Sequence, residues 1–122
     1  MRGVLALDQG SHASRAVVFD AAGRECASAE AAIATQRRGE IEVEHDAREL
    51  LASVRAATER ALAAARQAPG DLEIVAAGLA TQRSTFVACD RATLAPLAPA
   101  ISWQDRRNAA WLERLRAHEP RV

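Results

Sequence analysis

Strand-like runs at residues 3–8, 14–20 and 25–35, a long amphipathic helix after residue 46 and a further buried run at 73–80 predict an α/β protein with a ribonuclease-H-like core. Two features of the pattern carry the prediction. The element order is β-β-β-α-β. In that order the opening strands form an antiparallel meander, and the strand after the helix returns parallel to the first. Further helices and strands normally complete such a core and none follows in the sequence, so the sheet is expected to be incomplete at its carboxyl end.

Residues 3–8 (GVLALD) are an apolar run that stops at an acid. Residues 14–20 (SRAVVFD) form a second run, closed by the turn DAAG at 20–23, and the alanine-rich, weakly alternating residues 25–35 read as the third strand. Residues 36–45 (QRRGEIEVEH) read as a polar loop with a short extended piece at 41–44. Asp46 followed by Glu49 has the form of a capping box with Asp in place of Ser or Thr. Leu50, Leu51, Val54, Thr58, Ala61, Leu62 and Ala65 then recur at helical spacing as the expected buried face, and Pro69-Gly70 ends the helix. After the strand at 73–80, residues 84–90 (STFVACD) are expected to be another strand and RATLAPLAPA a proline-punctuated loop. Residues 105–118 are expected to form a second helix that buries Ala109, Leu112 and Leu115.

Composition narrows the function. The chain has 122 residues, sixteen basic and sixteen acidic, and alanine makes up about a quarter of it. Leu, Ile, Val and Phe together are about a fifth, so a folded but thin core is expected. Balanced charge without a basic block or an aromatic platform argues against a nucleic-acid binder, and no apolar run is long enough to span a bilayer. The amino terminus lacks the pattern of a secretory signal. Every basic residue is Arg, which excludes Schiff-base chemistry and a Walker-type phosphate lysine. Cys26 and Cys89 are too few for a disulfide framework and are expected to be reduced, buried thiols in a cytoplasmic protein.

Three segments carry chemistry. The bend Asp8-Gln9-Gly10-Ser11-His12-Ala13-Ser14-Arg15 joins two strands. It reads either as an ordinary hairpin turn or as a phosphate-binding turn. In the second reading Gly10 lets backbone N–H groups approach an anion, Ser11 and Ser14 donate hydroxyls, Arg15 adds charge and Asp8 holds hydrated magnesium. GLATQRSTF (78–86) ends a buried strand in Thr81-Gln82-Arg83-Ser84, polar residues at the end that faces a ligand crevice in α/β sheets. AISWQDRR (100–107) places Trp103 in a polar loop, where it stacks on a sugar face or packs in the core, and Asp105 caps a helix.

Taken together, the three segments resemble the amino-terminal part of the FGGY family of carbohydrate kinases, and its glycerol kinase branch most closely. LALDQGSHASRAVVFD is similar to the family's first phosphate motif, IEVEHDARELL to its Val-Glu-His-Asp-Pro stretch, and GLATQRSTFVACDRATLAPLAPAISWQDRR to the Gly-Ile-Thr-Asn-Gln-Arg-Glu-Thr and Ala-Ile-x-Trp-Gln-x-Arg-Arg patterns. The resemblance implies a fold of the actin/hexokinase superfamily. It also implies that residues 1–122 are part of the amino-terminal, substrate-side domain, without the adenosine-binding lobe. ATP and Mg²⁺ are the implied cofactors, and a small sugar or polyol the implied substrate. By the same resemblance Asp8 lies near the metal and phosphates; Gly10, Ser11, His12, Ser14 and Arg15 belong to the phosphate turn; Arg83 binds acceptor hydroxyls; and Trp103 walls the acceptor's carbon chain.

Departures refine this. Ser84 stands where glycerol kinases carry a glutamate that accepts hydrogen bonds from glycerol, which predicts a longer polyol or a ketose as acceptor. Ser11, His12 and Ala13 replace Thr, Thr and Ser; Ser11 keeps a hydroxyl and Ala13 does not. The family's catalytic base, an aspartate in a Gly-Asp motif far downstream, is not matched by Gly70-Asp71. The segment alone is therefore expected to be inactive, with its carboxyl-terminal remainder as an obligatory partner and a homo-oligomer formed at full length. The alternatives are a non-catalytic sugar- or subunit-binding module of the same fold and, from the core topology, a nuclease using Asp8 and Glu49. The nuclease lacks an acid at Thr81-Gln82.

Overall fold

A computed structural model describes residues 2–67 and 71–116. The elements are β1 (Arg2–Gln9), β2 (Ala13–Asp20), β3 (Glu25–Ala32), β4 (Gln36–Arg38), β5 (Glu42–His45), α1 (Ala47–Gln67), β6 (Glu73–Thr81), β7 (Ala100–Ile101) and α2 (Ala109–Arg116). The main sheet runs in the order β3-β2-β1-β6. β1 pairs antiparallel with β2, Leu5 opposite Val18 and Leu7 opposite Ala16. It pairs parallel with β6, Leu5 opposite Ala77 and Leu7 opposite Leu79. This is the arrangement the element order predicts for a ribonuclease-H-like core.

Side-chain alternation decides which face is which. Leu5, Ser14, Ala16, Val18 and Ala31 point at α1 and are buried. Asp8 and Arg15, register partners on β1 and β2, lie on the opposite, open face and are exposed. Gly3 is required by close approach, since a Cβ there would sit 2.7 Å from the Phe19 carbonyl oxygen. At the β2–β3 turn Gly23 takes φ +76°. Asp20 accepts the Ala22 and Arg24 amides at 2.8 and 3.0 Å, and these bonds, those to Arg24 foremost, hold its carboxyl below the ordinary range.

The buried face of the helix keeps the expected Ala61 and Ala65 but is centred on small residues, with Leu50, Val54, Thr58 and Leu62 half-buried at its edges. The buried stripe of α1 is Ser53, Ala57, Ala61 and Ala65, a strict i, i+4 row. Leu51 is 53% exposed. α1 lies over β2 and β3, whose facing residues Ala16, Ala29 and Ala31 are themselves small. Only an alanine row permits the close approach that fills such a space. Asp46 Oδ1 accepts the Arg48 amide at 2.7 Å and so caps the helix. Glu49 does not complete the reciprocal box; its Oε1 instead accepts the Ala34 amide at 2.9 Å and ties the chain after β3 to the helix. The expected stop at Pro69-Gly70 lies outside the described residues.

In a small second sheet, β4-β5-β7, the strand β4 forms within the stretch read as polar loop, β5 falls on the extended piece expected at 41–44, and β7 comes from residues 100–101. Residues 84–90 do not form the expected strand. Among the described residues their backbone pairs at the isolated bridges Phe86–Ile101 and Cys89–Pro96 and in no continuous ladder. Asp90 Oδ1 accepts the Ala92 and Thr93 amides at 3.0 and 2.8 Å and turns the chain back so that Cys89 faces Pro96, but no strand runs alongside the segment for a ladder to extend. α2 begins at Ala109, not at Asp105, and Leu112 and Leu115 are 54% and 43% exposed rather than buried. Its expected end at His118 lies outside the described residues. The thiols also differ from expectation: Cys26 is half-buried and Cys89 exposed, and both are free.

Candidate functional site

The bend between β1 and β2 is held closed by its own backbone. The Gly10 amide donates to the Ala13 carbonyl at 2.9 Å, and a Cβ on Gly10 would press on that oxygen at 3.0 Å. Glycine therefore serves closure of the hairpin. Ser14 turns under the sheet and is buried against Ser53 Oγ at 2.8 Å, so the hydroxyl expected to donate to phosphate faces α1 instead. His12 is exposed at the tip. On the open face, Asp8 lies beside Arg15, whose guanidinium donates to Glu30 at 2.8 Å. That bond, with Asp8 adding to it, holds the Arg15 proton more tightly than usual.

At the carboxyl end of β6 the chain passes through Gln82, Arg83 and Ser84, which with Trp103 line a cavity of about 410 Å³. Ser84 adopts φ +60°, turning the backbone sharply at the cavity rim. Trp103 is 55% exposed. The loop carrying it is anchored from behind: Asp105 Oδ2 accepts the Val43 amide at 2.7 Å, and Arg107 bridges Asp105 and Glu44 at 2.8 and 2.7 Å. Arg107's hydrogen bonds, chiefly, hold the Asp105 carboxyl well below the usual carboxylate range. Asp105 thus fastens this loop to β5 and does not cap α2.

The bend and the cavity meet. Trp103 Nε1 donates to Ser11 Oγ at 2.8 Å, and the Trp103 amide donates to Thr85 Oγ1 at 3.0 Å. Both hydroxyls donate to Gln82 Oε1, at 3.2 and 2.9 Å. The structure brings Ser11, Arg83, Ser84 and Trp103 to one surface, puts Asp8 and Arg15 on the adjoining open face and removes Ser14 from it. Sequence reasoning placed Gln82 among the polar residues at the end of β6 without giving it a role and passed over Thr85; β6 itself, expected to be a buried strand, is exposed along nearly its whole length, with Leu79 60% exposed.

The N-terminal domain of the FGGY family of carbohydrate kinases matches residues 3–121. The chain belongs to that family. It is 44% identical to glycerol kinase of Alcanivorax borkumensis over 98% of this chain and 24% of that protein. It is also 44% identical to glycerol kinase of Stenotrophomonas maltophilia, over 99% of this chain and 24% of that one. The crystal structure of Plasmodium falciparum glycerol kinase with ADP superposes with a TM-score of 0.92 at 22% identity, covering 98% of this chain and 24% of that one. The chain thus spans about a quarter of the length of these relatives.

Within an FGGY kinase, the donor set here suits Mg²⁺ held through water. Asp8 is exposed beside the bend, and no cluster of three or more His, Cys, Asp or Glu side chains converges among the described residues. One carboxylate completed by water and phosphate oxygens is how this ion is commonly bound. The same geometry disfavours the nuclease reading, since Asp8 faces away from α1 and Glu49 is engaged with the Ala34 amide. No helix among the described residues is long and apolar enough to cross a membrane.

Proposed function

We propose that the full-length protein carrying this segment is an ATP- and Mg²⁺-dependent kinase that transfers the γ-phosphate to a hydroxyl of a small sugar or polyol. The observation that carries the reading is the 2.8 Å hydrogen bond from Trp103 to Ser11, which makes the phosphate-side bend and the acceptor groove one surface. Arg83 donates to acceptor hydroxyls with a planar, permanently charged fork, and the Trp103 ring covers the acceptor's CH face. Asp8 would hold Mg²⁺, and Arg15, Ser11 and His12 line the approach of the phosphates. Bound Mg²⁺ neutralises charge on the phosphoryl oxygens. An aspartate from the carboxyl-terminal remainder takes the acceptor's proton, and closure of two lobes excludes water. Ser84 leaves room and no carboxylate at the rim, which favours a longer polyol or a ketose over glycerol. The reading places the enzyme in the cytoplasm as a homo-oligomer.

The test is ADP formation by the full-length protein with Mg·ATP and a panel of glycerol, longer polyols and ketoses. Phosphorylation dependent on ATP and Mg²⁺ is expected, with glycerol a poor acceptor and residues 1–122 alone inactive. Binding of an acceptor without turnover favours the non-catalytic module, and silence with every acceptor sinks the kinase reading.

A further inference from the structure

We propose that Gln82 is a positioning residue that sets the indole of Trp103 and the phosphate-side bend in a fixed relation; the inference rests on the kinase reading and adds a residue to it. The Gln82 side-chain amide has two donor hydrogens and two acceptor lone pairs, and all four are used inside the protein. Nε2 donates to Gln9 Oε1 at 3.3 Å and to the Gly10 carbonyl at 3.2 Å. Oε1 accepts from Ser11 Oγ at 3.2 Å and from Thr85 Oγ1 at 2.9 Å. Although Gln82 lines the cavity, no hydrogen-bonding capacity of its amide is left for a ligand.

The direction of these bonds is fixed. An indole N–H and a backbone N–H only donate, so Ser11 and Thr85 accept from Trp103 and direct their own protons at Gln82 Oε1. Turning the amide over would set its oxygen against the Gly10 carbonyl, another acceptor. Gly10 therefore dictates which end of Gln82 faces the hydroxyls. A closed ring results, from Gln82 through Ser11 to the indole, along Trp103 to its own amide, and back through Thr85. The backbone completes it, since the Gln82 amide donates to the Gln9 carbonyl at 2.8 Å and carries the β1–β6 pairing one step beyond the strand. An apolar wall that is 55% exposed would otherwise be free to change rotamer. Gln82 gives it one orientation, determined by the bend that faces the phosphates.

The test uses the full-length protein and the near-isosteric Gln82→Met, alone and with Trp103→Phe, which keeps an aromatic wall but removes the indole donor. Gln82→Met is expected to raise the KM for the acceptor roughly tenfold, the equivalent of one lost hydrogen bond's worth of orientation, with a much smaller change in kcat. In the Trp103→Phe background the same substitution should add little. The emission of Trp103, obtained by difference from Trp103→Phe, should shift in Gln82→Met whether or not the protein turns over. An unchanged acceptor KM together with unchanged Trp103 emission overturns the proposal, as do fully additive effects in the double variant. A wild-type protein without kinase activity whose Trp103 emission still responds to Gln82→Met supports the ring and overturns the kinase reading instead. If Gln82→Met does not fold, Thr85→Val removes one arm of the ring, and the same KM and emission readouts decide.

Discussion

Ser14 Oγ lies 2.8 Å from Ser53 Oγ and joins β2 to α1 beneath the sheet. Ser53 already donates to the Leu50 carbonyl at 2.7 Å, so Ser14 is the donor of the pair. A hydroxyl that is 1% exposed and committed in this way has no route to a phosphate on the other face. Ser14→Ala in the full-length protein should lower stability by about 1 kcal/mol, the ordinary worth of a buried neutral hydrogen bond. The KM for ATP should stay where it is. Denaturant unfolding and steady-state kinetics check the two halves; a raised KM at unchanged stability would return Ser14 to the phosphate site.

The alanine row of α1 makes a second prediction. Ala57 and Ala61 are 1% and 0% exposed and sit on Leu5, Ala16, Val18 and Ala31. Leucine at 61 has no space to enter without lifting the helix, so Ala61→Leu should cost about 1–3 kcal/mol. Ala63→Leu, on the exposed side, should change stability by less than about 0.5 kcal/mol. Comparable losses at both positions would mean that α1 is seated on another face.

These two cases show what the sequence makes legible. The order of strands and helix is written in runs of like residues, so the parallel return of β6 to β1 follows from it. Which row of α1 touches the sheet is not, because alanine and leucine rows share one periodicity and only the closeness of the opposing strand chooses between them. The site follows the same division. Arg83 and Trp103 stand out by residue type and motif, whereas Gln82 acquires its role from four partners drawn from β1, the bend and the turn after β6. Ser14 carries the right chemistry on the wrong face, a distinction set by strand parity at the hairpin. The failed strand at 84–90 has apolar residues but no neighbour with which to pair along its length.

Acid should loosen the Trp103 loop. Asp105 is held below the ordinary carboxylate range chiefly by Arg107, with the Val43 and Arg107 amides helping and burial opposing. Because the folded value lies below the unfolded one of about 4, the unfolded chain takes up more protons as pH falls through that region. The contribution of Asp105 is thus complete above about pH 5 and declines below about pH 4. Asp105→Asn should melt earlier than wild type at neutral pH, and the gap should narrow as the solution is acidified. Apparent melting temperatures across that range test it; a gap that stays constant would show that the ion pair with Arg107 is not what the proton disrupts.

Ser84 joins backbone strain to specificity. Its φ of +60° lies in the left-handed region, which costs an L-residue roughly 1–2 kcal/mol and a β-branched one more. Ser84→Gly should therefore remain within about 1 kcal/mol of wild type, relief of strain offsetting the greater freedom of the unfolded chain, while Ser84→Val should lose about 2 kcal/mol. The same residue lines the cavity with Arg83 and Trp103. Ser84→Glu adds a charged acceptor there and shortens the space available to the far end of an acceptor. The ratio of kcat/KM for glycerol to that for the preferred longer acceptor should then rise by at least about tenfold. Ser84→Gly, which adds no acceptor, should leave the ratio near that of wild type. If both variants move it equally, the backbone turn and not the missing carboxylate governs the choice of acceptor.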